Sequence, residues 1–228
     1  MAVLANFTLG PIGLISWEMQ TAIQYTYLTM QLSARDFIVH KGYLNLAQQR
    51  NLVDELRSVV RRAPLFRPLT PYGKPMRVQM TSAGRYGWYS DHRGYRYIEC
   101  HPSGGAWPNV PDTALAVWSK LVSEQRQPDC CLINFYDQDS RMGMHQDKDE
   151  ADFSWPVLSI SLGDEALFRM GNEKRGGSTE SLWLHSGDIV IMAGAARLKY
   201  HGIDRIRSGS SGLLTKGGRI NLTLRVVD

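Results

Sequence analysis

The sequence predicts a mainly β protein with flanking helices, an α+β arrangement in which a jelly-roll-like barrel carries two helices on its outside. Three observations predict it. After Pro128, six short apolar stretches (CCLINFY, WPVLSISLG, ALFRMG, ESLWLH, DIVIMAG and INLTLRVV) are separated by glycine and charged turns, at the spacing of strands in a sandwich or barrel. Before them, two stretches repeat apolar residues at helical spacing. Between the two helices, short strand-like pieces are broken by Gly and Pro, as in hairpins or a lid over a barrel mouth.

Taken in order, residues 1–30 form an apolar N-terminal extension with no Lys or Arg before Arg35. It lacks the basic start of a signal peptide and the Arg-rich face of a transit peptide. We read it as a poorly packed extension or the product of an upstream start-site choice, with Met30, followed by a domain entry, the candidate true start. From Tyr43 to Arg62, Leu46, Leu52, Val53, Leu56, Val59 and Val60 make the stripe of an amphipathic helix that stops at Ala63-Pro64. MRVQMTS, RYGWYS and GYRYIEC follow, with Trp88, Tyr89, Tyr95 and Tyr97 interleaved with Arg85, Arg93 and Arg96. PDTALAVWSKLVSEQRQ reads as the second helix, its Ala, Leu, Val and Trp on one face. The expected division is 31–128 for helices and lid and 129–228 for the β core.

Composition sets bounds. A chain of 228 residues can bury a full core, and one domain with elaborations is the expectation. The net charge of +4 permits a polyanionic partner without demanding one. Cys100, Cys130 and Cys131 are odd in number and include an adjacent pair, which argues against a secreted disulfide framework and for reduced thiols in the cytoplasm. No apolar run reaches the roughly 18 residues of a membrane-spanning helix, so a soluble protein is expected. With no evident association motif, a monomer is the default.

The chemistry concentrates in INFYDQDSRMGMHQDKDE, residues 133–150, which holds five acidic side chains and one histidine. His145 and Asp147 are two apart, so on a strand or its extended continuation they share a face and can converge on one ion. A second histidine from a distant strand, His201 in KYHGI, would complete a two-His, one-carboxylate set that leaves positions open on Fe(II) for cosubstrate and O2. H-x-D alone is a weak signal. The distinguishing feature is GGRINLTLRVVD, where Arg219, Asn221 and Arg225 alternate with apolar side chains and therefore point one way. Two guanidiniums aimed into a barrel suit a dicarboxylate, and one that also chelates iron is 2-oxoglutarate. Asn134 and Tyr136 repeat the two-residue spacing on INFY.

NFYDQDSRMGMHQDKDE, YHGI and RINLTLR together resemble the AlkB family of Fe(II)- and 2-oxoglutarate-dependent dioxygenases, in particular its bacterial DNA-repair members. MTSAGRYGWYSDHRGYRY is similar to that family's nucleotide-recognition lid, so the resemblance runs from about residue 33 to 228. It implies a double-stranded β-helix (jelly-roll) core with the lid N-terminal to it. Carried over by position, His145, Asp147 and His201 match the iron ligands. Arg219, Asn221 and Tyr136 match the groups on the distal carboxylate of 2-oxoglutarate, and Arg225 and Asn134 those near its iron-bound end. Trp88, Tyr95 and Tyr97 match lid positions against the substrate nucleotide, with Asp149 and Arg175 as polar contacts to it. The activity implied is oxidative removal of methyl groups from bases such as 1-methyladenine and 3-methylcytosine in single-stranded or flipped-out DNA, with RNA as a further substrate. The same chemistry on tRNA, protein or a small molecule is the alternative.

Overall fold

A computed structural model describes residues 30–228, and the readings made for residues 1–29 lie outside the described residues. In chain order the elements are β1 (Met30–Ala34), β2 (Phe37–Lys41), α1 (Leu46–Arg62), β3 (Gln79–Gly84), β4 (Gly87–Asp91), β5 (Gly94–Ile98), α2 (Asp112–Leu121), β6 (Cys130–Tyr136), β7 (Met142–His145), β8 (Val157–Gly163), β9 (Glu165–Met170), β10 (Glu180–Leu184), β11 (Ile189–Met192), a 3-10 turn (Gly194–Ala196), β12 (His201–Arg207) and β13 (Arg219–Arg225).

The last eight strands divide between two antiparallel sheets. β11, β8, β13 and β6 lie in one and β10, β9, β12 and β7 in the other, which is the jelly-roll the sequence predicts. The first sheet is extended to seven strands by β1 and β2 beyond β11 and by β3 beyond β6. Segments on both sides of position 128 thus share one sheet, and only the β4–β5 hairpin forms a separate ribbon. β1 and β2 have no counterpart in the sequence reading, which placed only a domain entry there.

Period-2 alternation of the large sheet separates two cores. Outward-facing Cys131, Ile133, Leu222 and Leu224 pack with Leu52, Val53, Leu56 and Val59 of α1 and Ala114, Val117 and Trp118 of α2. Inward-facing Leu132 and Tyr136 pack instead with Phe168, Met170, Leu184 and Ile203 of the smaller sheet. Each of the larger aliphatic side chains buried in this way contributes about 1.5–3 kcal/mol. α1 begins in a capping box, Asn45 accepting from the Gln48 amide and Gln48 from that of Asn45. Leu46, expected in the apolar stripe, is 52% exposed, and Gln49 occupies a buried place by donating to the Leu44 carbonyl. α2 ends at Leu121, six residues short of the expected Gln127, because the Ser123 hydroxyl accepts from the Gln125 and Arg126 amides and turns the chain.

Candidate metal centre and substrate groove

β7 ends at His145, and Asp147 lies two residues on in its extended continuation, as the H-x-D spacing requires. His201 opens β12 and is the direct cross-strand partner of His145. Nε2 of His145 lies 3.8 Å from Asp147 Oδ1, and Nε2 of His201 lies 3.8 Å from Asp147 Oδ2. One ligand atom from each of the three residues falls within 4.8 Å of the others. Both imidazoles are oriented from behind: Nδ1 of His145 pairs with the Gly143 carbonyl at 2.9 Å and Nδ1 of His201 with the Lys199 carbonyl at 3.1 Å. A proton on each Nδ1 leaves each Nε2 lone pair free for a cation.

The electrostatics agree. Burial, with His145 alongside, lowers the His201 pKa to about 4, so its ring is neutral at neutral pH. Burial alone would raise the Asp147 carboxyl, but Arg225 and the two imidazoles outweigh it and hold it well below the usual carboxylate range. Two imidazoles, each with its Nδ1 engaged from behind, and an ionised carboxylate on one face make a donor set that fits a divalent ion.

Deeper in the barrel, Arg219 is fully buried, and only its Nη2 finds a partner, Ser161 Oγ at 2.9 Å. Its Nε and Nη1 are unpartnered, as is the buried Asn134 Oδ1. Burial lowers the pKa of this guanidinium to about 10. A buried, half-satisfied cation is costly unless an anion joins it. Asn221 donates to Ser159 Oγ at 2.6 Å, and Thr223 Oγ1 donates to Asn221 Oδ1 at 3.1 Å. Tyr136 is the cross-strand partner of Arg219, and Asn134 that of Asn221. Asn134, Tyr136, Ser159, Arg219, Asn221 and Thr223 line one cavity together with His145, Asp147, His201 and Arg225. Sequence reading missed Ser159, Ser161 and Thr223, although the period-2 serines of WPVLSISLG carry the signal that RINLTLR does.

A chain with this ligand set over a buried cationic pocket has close relatives. A family model described as the 2OG-Fe(II) oxygenase superfamily matches residues 36–225. The chain belongs to this superfamily. Within it the chain belongs to the AlkB family: it is 51% identical over 190 residues to an alpha-ketoglutarate-dependent dioxygenase AlkB homolog of Caulobacter vibrioides, covering 83% of this chain and 86% of that one. It is 36% identical over 199 residues to alpha-ketoglutarate-dependent dioxygenase AlkB of Escherichia coli, covering 85% and 91%. An Arabidopsis thaliana relative named DNA N(6)-methyladenine demethylase ALKBH1C is 30% identical over 219 residues, 82% of this chain and 48% of that protein. A solved structure of OsALKBH1 superposes with a TM-score of 0.72 at 27% identity, covering 86% of this chain and all of that one. The AlkB fold supplies Fe(II), O2 and 2-oxoglutarate as the working cofactors, and the residues present fit them: three convergent donors for the ion, and for the dicarboxylate a guanidinium whose Nε and Nη1 have no partner.

The β4–β5 hairpin of this AlkB-type enzyme borders a groove that reaches His145 and Asp147. Trp88 and Tyr95 stack at 5.3 Å between centroids and 24° between planes, and Trp88 Nε1 donates to Asp149 Oδ2 at 3.0 Å. Trp88, Tyr95 and Asp149 share the groove wall with His145, Asp147 and Arg225. Tyr97 turns away from it, its hydroxyl donating to Glu150 Oε1 at 2.5 Å. Arg175 is exposed on the loop after β9 and is not part of the groove wall. The lid arginines are occupied: Arg96 forks onto Asp91 through two 2.7 Å bonds and holds that carboxyl well below the usual range, and Arg85 pairs with Glu99 and Asp228. Among the cations that line the groove, Arg77, Arg141 and Lys148 are exposed and have no ion-pair partner among the described residues.

Proposed function

We propose that this enzyme oxidatively demethylates N-alkylated bases, 1-methyladenine and 3-methylcytosine, in single-stranded or flipped-out DNA, and that RNA is a second substrate. His145, Asp147 and His201 hold the iron in this reading. Arg219, Asn221 and Tyr136 take the distal carboxylate of 2-oxoglutarate, and Arg225 and Asn134 lie near its other end. The observation that carries the substrate class is the stacked Trp88–Tyr95 pair beside an exposed carboxylate, Asp149, with Arg77, Arg141 and Lys148 on the same groove. Aromatic faces stack any base at about 1–3 kcal/mol each, and unpaired cations take phosphates.

Methylation at the Watson-Crick edge makes the base cationic and leaves no acidic C–H for a general base, so oxidation of the methyl carbon is the available route. Iron with 2-oxoglutarate and O2 supplies that oxidation, with succinate and CO2 as coproducts. The chain does the rest. Trp88 and Tyr95 hold the base, and Asp149 favours the methylated, cationic form over the neutral one by charge. The hydroxymethyl group formed on nitrogen leaves as formaldehyde, returning the unmodified base. A cytoplasmic location goes with this reading, supported by three free thiols, and a monomer is the default state.

A substrate panel tests the reading. Iron-loaded enzyme is offered 3-methylcytosine in a single-stranded oligodeoxynucleotide, the same base in RNA, and a trimethyl-lysine peptide, with products read by mass. Loss of one methyl from the oligonucleotides and none from the peptide is expected; peptide demethylation with untouched oligonucleotides would overturn the substrate class.

A further inference from the structure

Behind Asp147 and Arg225 lies a closed charge cluster whose other members, Glu150, Arg197 and Tyr97, have no part in the reaction above. Arg197, at the end of the 3-10 turn, donates from Nη1 to the Asp147 main-chain carbonyl at 2.6 Å and from Nη2 to Glu150 Oε2 at 2.9 Å. Arg225 donates from Nη2 to Asp147 Oδ1 at 2.7 Å, and its Nε lies 3.2 Å from Glu150 Oε1. Tyr97 of β5 donates its hydroxyl to that same Oε1 and lies 3.3 Å from Arg225 Nη1. All four charged side chains are buried, Glu150 at 1% exposure and Arg197 at 3%. Two guanidiniums face two carboxylates, so the cluster is neutral as drawn.

We propose that Glu150 is the positioning residue of the metal carboxylate, holding Asp147 by its backbone through Arg197 and by its side chain through Arg225, and that Tyr97 ties the lid strand to this hub. Asp147 faces competing demands. Asp147 must give electron density to the metal while a buried arginine donates to one of its oxygens. Glu150 takes the remaining attraction of that arginine. Without Glu150, two buried cations would share one carboxylate, and Asp147 would be drawn off its ligand position toward them. Arg197 adds a restraint on the main chain that no side-chain rotation at Asp147 can replace. Partners of ligating carboxylates are worth about 10–100-fold in metal affinity.

Tyr97 therefore acts through Glu150 and not as a stacking surface. Its place on β5, two residues past Tyr95, lets one strand carry a base-facing ring and a hub-facing hydroxyl. The inference rests on Asp147 being a metal ligand, and the test separates the two claims.

Metal-free enzyme is titrated with Co(II), following its visible absorption, for wild type, Glu150→Gln, Tyr97→Phe and, as a stability control, Leu52→Ala in the outer core. The expected result is a 10–100-fold weaker Co(II) affinity and an altered Co(II) spectrum for Glu150→Gln, and a smaller shift in the same direction for Tyr97→Phe. Leu52→Ala should melt earlier but bind Co(II) as wild type does. Tyr97→Phe removes one oxygen atom and keeps the ring, so it remains informative if Glu150→Gln fails to fold. Wild-type affinity and spectrum in folded Tyr97→Phe and Glu150→Gln would overturn the hub. Failure of the wild type to bind Co(II) would instead remove the metal assignment on which it stands.

Discussion

His145 and His201 face each other across adjacent antiparallel strands, with ring centroids 4.5 Å apart. That proximity depends on Gly202. A Cβ there would stand 2.6 Å from the Met142 carbonyl oxygen and 2.9 Å from that of Gly143, and Gly143 is the residue whose carbonyl orients His145. Gly202→Ala must therefore push β7 and β12 apart. Overpacking of this kind costs about 1–3 kcal/mol, and under the proposed metal assignment it should also weaken metal binding, because both strands that carry the histidines move. Paired melting curves and Co(II) titrations check this; a destabilised variant with wild-type metal affinity would show the strands to be independent.

Under the proposed assignment, Arg219 makes its cavity a source of conditional stability. Its charge is buried with Nε and Nη1 unpartnered, so 2-oxoglutarate should raise the melting temperature. At a hundred times Kd the gain is about 2.7 kcal/mol, or roughly 5–10 °C for a chain of this size. Arg219→Met should melt no earlier than wild type without ligand, since it deletes an unsatisfied cation, and should lose the 2-oxoglutarate shift. A full shift in the variant would relocate the dicarboxylate.

The groove predicts a division of labour among its aromatic residues. Trp88→Ala should raise KM for methylated oligonucleotides by about 5–150-fold, the equivalent of about 1–3 kcal/mol of stacking. The requirement for 2-oxoglutarate should stay unchanged, because Trp88 lines the groove and not the inner cavity. Trp88→Phe should recover most of the loss. Steady-state kinetics on both substrates distinguish this from a collapsed lid, which would impair all variants alike.

The thiols give a pH prediction. Burial pushes Cys130 from its ordinary 9.0 up to about 12 and Cys131 upward as well, whereas Cys100 is exposed. A thiol reagent at neutral pH should label one cysteine in the folded protein and three after denaturation. Because the folded pKa is raised, the folded state keeps a proton that the unfolded chain gives up. The stabilisation is complete below about pH 9 and is lost as pH rises toward 12. Alkaline melting curves should steepen over that window and become shallower in Cys130→Ala.

Much of the site was legible because strand alternation is a strict code. Arg219, Asn221 and Arg225 could only share a face, and that face proved to be the inner one. The β1–β2 hairpin escaped notice because its turn residues, Arg35 and Asp36, adopt φ of 50° and 70°, a conformation usually signalled by Asn-Gly. They are held there by contacts sequence does not announce, Arg35 on Gly171 and Asn172, and Lys199 on Asp36. Glu150 and Arg197 were missed for a related reason. Each is an ordinary surface residue type whose burial follows from a partner 47 positions away in the chain. The arginines interleaved with the aromatic residues of the hairpin turn onto a carboxylate beside them in the chain: Arg96 forks onto Asp91, and Arg93 Nε lies 3.9 Å from it.

The most direct test of the central claim is the stoichiometry of a single turnover. Iron-loaded enzyme in excess is mixed with 2-oxoglutarate, O2 and a single-stranded oligonucleotide bearing one 3-methylcytosine, and succinate, formaldehyde and repaired base are quantified together. The account predicts the three in equal amounts from the wild type and none from His145→Ala. Succinate without formaldehyde or repaired base, from folded and metal-loaded enzyme, would leave the iron and 2-oxoglutarate assignments standing and contradict the demethylase.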